Sequence, residues 1–139
     1  MAPDELLKQH GLKATAARTA VLRVLSGSKT PLSVQAVVDA LPKGSADQAT
    51  VYRVLEAFVE KGIARQVDLG KGHASFEREG ASHHHHLVCT HCGRVEDVED
   101  CDADAFAAQA LERSKQFARV ARHSLELFGT CKECGKKQE

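Results

Sequence analysis

Two Cys-x-x-Cys pairs, Cys89/Cys92 and Cys131/Cys134, stand 38 residues apart, and the first follows closely on four consecutive histidines, His83 to His86. One tight turn aims both sulfurs of a pair at one ion, so the pairs together carry the donors of a closed, tetrahedral Zn²⁺ site. Four thiolates leave no open position for substrate; the expected role is structural, pinning the C-terminal segment to the start of this half. Each pair is followed by a glycine, Gly93 and Gly135, as tight turns often require. The fifth cysteine, Cys101, lies between Asp100 and Asp102 and reads as a spare thiol.

The histidines do not read as a terminal tag, because the run lies inside the chain and joins Leu87, Val88 and Cys89 without a linker. In a strand over 83–89 the side chains alternate: His84 and His86 face one side, His83 and His85 the other. One run then supplies two ligands to each of two metal sites. The bland alternative is a solvated linker between domains. Neutral imidazole suits Zn²⁺, Fe²⁺, Mn²⁺, Ni²⁺ or Co²⁺, so the histidines leave the ion open. VARHSLELF (120–128) also alternates, placing His123 inward with Leu125 and Leu127 as either a core residue or a ligand. Between these runs, DADAFAAQALERSKQF has helical spacing, and Asp102 and Asp104 in its first turn either favour the helix N-terminus or reach a metal.

The elements ahead of residue 78 form a different pattern. DELLKQH (4–10) is a short amphipathic helix ended by Gly11, and LKATAARTAVLRVLSG follows with Thr15 as its N-cap and Ala17, Val21, Val24 and Leu25 at helical spacing. A third helix opens at Ser33 and carries Val34, Val37, Val38 and Leu41. In SADQATVYRVLEAFVEKG, Ser45 and Gln48 have capping-box spacing and Val51, Val54, Leu55 and Phe58 form the apolar stripe. The opposite face offers Gln48, Ala49, Tyr52 and Arg53, either a solvated surface or a reader of the major groove. IARQVDL and HASFE then flank Gly70-Lys71-Gly72 as a hairpin. Helices followed by a β-ribbon make a winged helix-turn-helix.

Composition fits this division. The formal net charge is zero, yet residues 1–72 carry ten Lys+Arg against seven Asp+Glu and residues 73–139 nine against twelve. The front half is therefore the place to expect nucleic acid. At 139 residues and 42% hydrophobic the chain is long enough for one ordinary domain or two small ones. The first twenty residues hold no long apolar run, so neither a secretory signal nor a membrane anchor is expected; the cytoplasm is, and its reducing conditions favour zinc over disulfides.

GLKATAAR (11–18), ATVYRVLEAF (49–58), HHHHLVCTHCG (83–93) and HSLELFGTCKECG (123–135) together resemble the ferric uptake regulator (Fur) superfamily of bacterial metal-responsive repressors, in order and spacing, over essentially the whole chain. The resemblance implies an α+β homodimer: a winged-helix DNA-binding domain (1–78), a hinge (79–83) and a small α/β dimerisation and metal-binding domain (84–139). It implies structural zinc at Cys89, Cys92, Cys131 and Cys134. Tyr52 and Arg53, with Gln48 beside them, fall on the recognition helix, and Lys13 and Arg18 fall where the family touches the DNA backbone or minor groove. His84, His86 and Glu77 match sensory-site ligands, and His83, His85, Asp104 and His123 match an additional site.

Two departures bear on the sensed ion. Thr30-Pro31 stands where iron-type members supply a histidine, and Glu79, Gly80, Ala81 and Ser82 stand where zinc-type members place a cysteine; Asp68 or His73 in the wing would complete the set. The expected function is a metal-dependent repressor of operator DNA, with a second divalent ion, Zn²⁺ or Fe²⁺ and also Mn²⁺ or Ni²⁺, as its signal. The alternatives are a peroxide sensor of the same family, a zinc-binding module without DNA binding, or a zinc enzyme, for which no H-E-x-x-H or comparable signature exists.

Overall fold

Three of the four helices in the front half begin where a capping side chain precedes an apolar stripe. The computed structural model describes residues 2–80, 84–99 and 101–137. Helix α1 spans Pro3–Gln9 and α2 Ala16–Gly27; after the two-residue strand β1 (Leu32–Ser33) come α3 (Val34–Ala40) and α4 (Gln48–Glu60). Thr15 Oγ1 accepts from the Arg18 N–H at 3.2 Å, and Ser33 Oγ from the Ala36 N–H at 3.0 Å. The cap of α4 is Asp47, not Ser45: its Oδ1 accepts from the Thr50 N–H at 2.8 Å, and that bond draws its pKa below the ordinary 3.8. A carboxylate one residue before the helix outcompetes a hydroxyl three residues away, so Gln48 opens the helix instead of closing a capping box.

The stripes meet in one core. Val21, Leu22 and Leu25 of α2, Val37 of α3, and Val51, Leu55 and Phe58 of α4 pack with Leu7 and Phe76, all nearly solvent-free. Truncating Leu55 or Phe58 to Ala should cost about 2–5 kcal/mol. Gly62, at φ +78, turns the chain out of α4 into β2 (Ala64–Asp68), which pairs antiparallel with β3 (Ala74–Arg78). β1 joins the other edge of β3 through Leu32↔Phe76, a strand too short to read from periodicity. Helices α1–α4 with this ribbon form the expected winged helix.

The chain divides into two compact units, Met1–Gly80 and Ala81–Glu139. In the second, β4 (His85–Cys89) pairs antiparallel with β5 (Val95–Val98); α5 (Ala103–Arg113) crosses over to β6 (Glu126–Gly129), which lies parallel to β4; and α6 (Lys132–Lys137) follows. The strand order is β5-β4-β6. β6 is shorter than the alternation over 120–128 implies, because β4 offers partners only from Glu126 onward. It is also an edge strand, and Leu127 within it and Leu125 just before it are 44% and 43% exposed rather than buried inward, because nothing among the described residues of the single chain packs over them. α5 stops at Arg113 with Ser114 extended, well before Phe117. Together the units give the expected α+β architecture.

Candidate functional site

Parallel pairing of β4 with β6 is what brings the four cysteines together. Cys89 ends β4 in register with Gly129, so the turn holding Cys92 and the segment carrying Cys131 and Cys134 leave the sheet at the same end. In the first turn Gly93 adopts φ +80 and its N–H donates to the Cys89 carbonyl at 2.9 Å, a conformation costly for any other residue. Gly135 departs from expectation: it lies within α6 and has no positive φ, because a helix instead of a turn carries the second pair.

The four sulfurs all lie within 4.8 Å of one another. Cys92 Sγ is 3.7 Å from Cys131 Sγ, and a zinc tetrahedron with Zn–S of about 2.3 Å has an edge of about 3.8 Å. The donors therefore fit a structural zinc ion. Backbone N–H groups aim at the sulfurs: Cys131 N–H at Cys89 Sγ and Cys134 N–H at Cys131 Sγ, both 3.4 Å. With the N–H groups of Cys92 and Cys131 directed at it, Cys89 is held down to about pH 5. The Cys134 N–H lowers Cys131 likewise, whereas Cys134, which shares its proton with the Cys131 sulfur, is pushed up to about 12. Part of the site is ready for metal as thiolate.

The histidine strand alternates as expected. His85 and His86 are 3% and 0% exposed, yet they face different partners. His86 Nε2 lies 3.9 Å from Asp97 Oδ1 on β5, and its ring stands edge-on to His84 with centroids 5.2 Å apart. His85 Nε2 lies 3.1 Å from His123 Nε2 and 3.0 Å from Cys101 Sγ. Cys101, read as a spare thiol, lies beside these two histidines. Asp104 is exposed in the first turn of α5 and joins no donor cluster among the described residues. His83 lies outside the described residues.

Asp97 was not singled out in the sequence, and Cys101 was read only as a spare thiol. Asp97 has a signal, since strand pairing sets it opposite His86; Cys101 has none without the crossover geometry. In the first unit, Glu77 is half-buried on β3 and ion-paired with Arg65. Asp68 and His73 are exposed and line one depression on the wing; Asp68 Oδ1 accepts from the Gly70 N–H at 2.8 Å, closing the turn.

The reading face of α4 is open. Gln48, Tyr52 and Arg53 are exposed, Gln48 hydrogen-bonds Gln35 of α3, and a hydrogen bond to Glu56 raises the Tyr52 pKa above its ordinary 10.0. Arg18 donates to the Lys13 carbonyl at 3.1 Å, and Arg18 and Arg53 line one shallow depression with Thr15 and Thr50. Two guanidinium groups beside the first turns of two helices suit a phosphate.

The model of the ferric uptake regulator family matches residues 9–128. The chain belongs to this family. It is 37% identical to the ferric uptake regulation protein of Legionella pneumophila over 137 residues, covering 96% of this chain and 99% of that one. The crystal structure of the Vibrio cholerae ferric uptake regulator (Fur) superposes with a TM-score of 0.75 at 32% identity, covering 92% of this chain and 98% of that one. The peroxide operon regulator of Bacillus subtilis is 31% identical, with 96% and 92% covered. Family membership agrees with the expected metal-dependent transcriptional repressor. No helix among the described residues is long and apolar enough to cross a membrane.

Proposed function

We propose that this Fur-family protein is a cytoplasmic, homodimeric repressor whose affinity for an operator palindrome is set by a divalent ion at His84, His86, Asp97 and Glu77. The observation that carries this reading is His86: a fully buried imidazole with a carboxylate beside it, in a chain whose recognition helix is left open. A bound ion supplies positive charge that holds these donors together. His84 and His86 belong to the second unit and Glu77 to the first, so sharing one ion selects the arrangement of the two units that fits DNA. Asp68 or His73 would complete the donor set from the wing. In a dimer, that selection sets the spacing of two α4 helices for successive major-groove faces.

The dimer reading rests on the second unit. α5 buries no residue in the single chain, and Phe106, Phe117, Leu127 and Phe128 are 73%, 72%, 44% and 50% exposed, an apolar surface that a second copy would cover.

The test is anisotropy on operator-like DNA, using protein that keeps zinc at the four cysteines and is titrated anaerobically with Zn²⁺, Fe²⁺, Mn²⁺ or Ni²⁺. One ion should switch binding on; affinity indifferent to all four would overturn the reading. Similarity to a peroxide operon regulator keeps a second reading in view, in which Fe²⁺ and peroxide oxidise a site histidine; mass spectrometry after that treatment reads the added oxygen.

A further inference from the structure

We propose that His85, Cys101 and His123 form a further metal site, a thiolate-bearing one that takes Zn²⁺ in preference to Fe²⁺ or Mn²⁺. It amends the expected additional site, exchanging the carboxylate of Asp104 for a sulfur, and it does not depend on the sensory reading.

Three lone-pair atoms converge. His85 Nε2 lies 3.0 Å from Cys101 Sγ and 3.1 Å from His123 Nε2, and the third edge, Cys101 Sγ to His123 Nε2, is 3.7 Å. Tetrahedral zinc with Zn–N near 2.0 Å and Zn–S near 2.3 Å has edges of about 3.3–3.6 Å, so the triangle is within about half an ångström of the bound size. An imidazole nitrogen carries at most one proton and cannot donate to two neighbours at once. One cation satisfies all three atoms together.

The surroundings repeat those of the four-cysteine site. The Ala103 N–H, in the first turn of α5, points at Cys101 Sγ at 3.3 Å, as the Cys131 and Cys134 N–H groups point at Cys89 and Cys131. His85 is buried, while Cys101 and His123 are half-buried. Three protein ligands leave a fourth position for water or another donor, and a sulfur in the set favours zinc over harder ions that prefer oxygen.

Cobalt is the probe. Protein with zinc retained at the four cysteines, reduced and anaerobic, is given one and then two equivalents of Co²⁺, and the near-ultraviolet thiolate-to-cobalt band is read. The band should appear, vanish in Cys101→Ser and Cys101→Ala, fall strongly in His123→Ala, persist in Glu77→Ala, and bleach on adding Zn²⁺ but not Mn²⁺. Thermal melts of the two Cys101 variants, expected to match wild type without added metal, exclude misfolding as the cause. No band in wild type, or an undiminished band in Cys101→Ser, overturns the proposal. A Cys101-dependent band in protein whose operator affinity ignores every ion would sink the sensory reading and leave this site standing.

Discussion

Cys92 Sγ and Cys131 Sγ lie 3.7 Å apart although 38 residues separate them in the chain. The parallel pairing of β4 and β6 makes the approach possible, and an ion between the sulfurs would hold it. Removing one sulfur therefore acts on more than one bond.

Cys92→Ser should lose the tightly held zinc and unfold much of the second unit, since metal affinity and folding are coupled in such sites. Zinc content should fall from one structural ion per chain towards none, with the loss of secondary structure confined to that unit by hydrogen exchange. A variant that keeps its zinc and its melting curve would contradict this role.

Zinc loading of stripped protein at pH 7 should release fewer than four protons per site. Cys89 sits at about pH 5, below its ordinary 9.0, so at neutral pH it has no proton to give up, while Cys134, at about 12, does. Zinc affinity should weaken further as pH falls through 5, where protons begin to compete for Cys89 as well. Titration calorimetry in buffers of differing ionisation enthalpy counts the protons; four released at pH 7 would be inconsistent with a preformed thiolate.

Asp47→Ala should lower the melting temperature by a few degrees at neutral pH, whereas Ser45→Ala should not. The Asp47 pKa is depressed below 3.8, so its stabilisation is complete above that value and is lost as pH falls through the lower, folded-state value. The difference between Asp47→Ala and wild type seen in melts at pH 7 should therefore shrink as the pH is lowered below 3.8.

Arg53→Ala should weaken operator binding at least about tenfold, and Lys13→Ala should lower the slope of log K against log salt by about one. Unchanged affinity for Arg53→Ala would remove α4 from the interface. The reciprocal effect is also measurable, because operator DNA must tighten metal binding by the same factor as metal tightens DNA binding.

His86→Ala should abolish the response of DNA binding to metal, while His85→Ala should leave that response and lose one further bound ion. Anisotropy and metal content on the two variants separate these outcomes; identical phenotypes would mean that a single site uses both residues.

Much of this was legible because it depends on local spacing. The stripes of α2 and α4, the hairpin around Gly70, and the alternation of His85 and His86 follow from periodicities of 3.6 and 2. Cys101 was not legible: its role arises only when α5 returns the chain so that β6 lies beside β4, and nothing near it in sequence announces that. Ser45 has capping-box spacing with Gln48, yet the carboxylate of Asp47, directly before the helix, is the better acceptor and takes the cap. His123 was read as inward together with Leu125 and Leu127; it is half-buried against His85, whereas the two leucines are exposed in the single chain.

Because His85 and His86 are consecutive residues of one paired strand, a single peptide unit joins two ligand clusters. Neither cluster can be re-tuned by sliding β4: a one-residue slip either brings His86 to Cys101 and His123 while setting Leu87 opposite Asp97, or sets His85 opposite Asp97 while bringing His84 to Cys101 and His123. The two ion preferences are thus inherited together, and a one-residue insertion or deletion near the start of this strand is the kind of sequence change that would damage both at once.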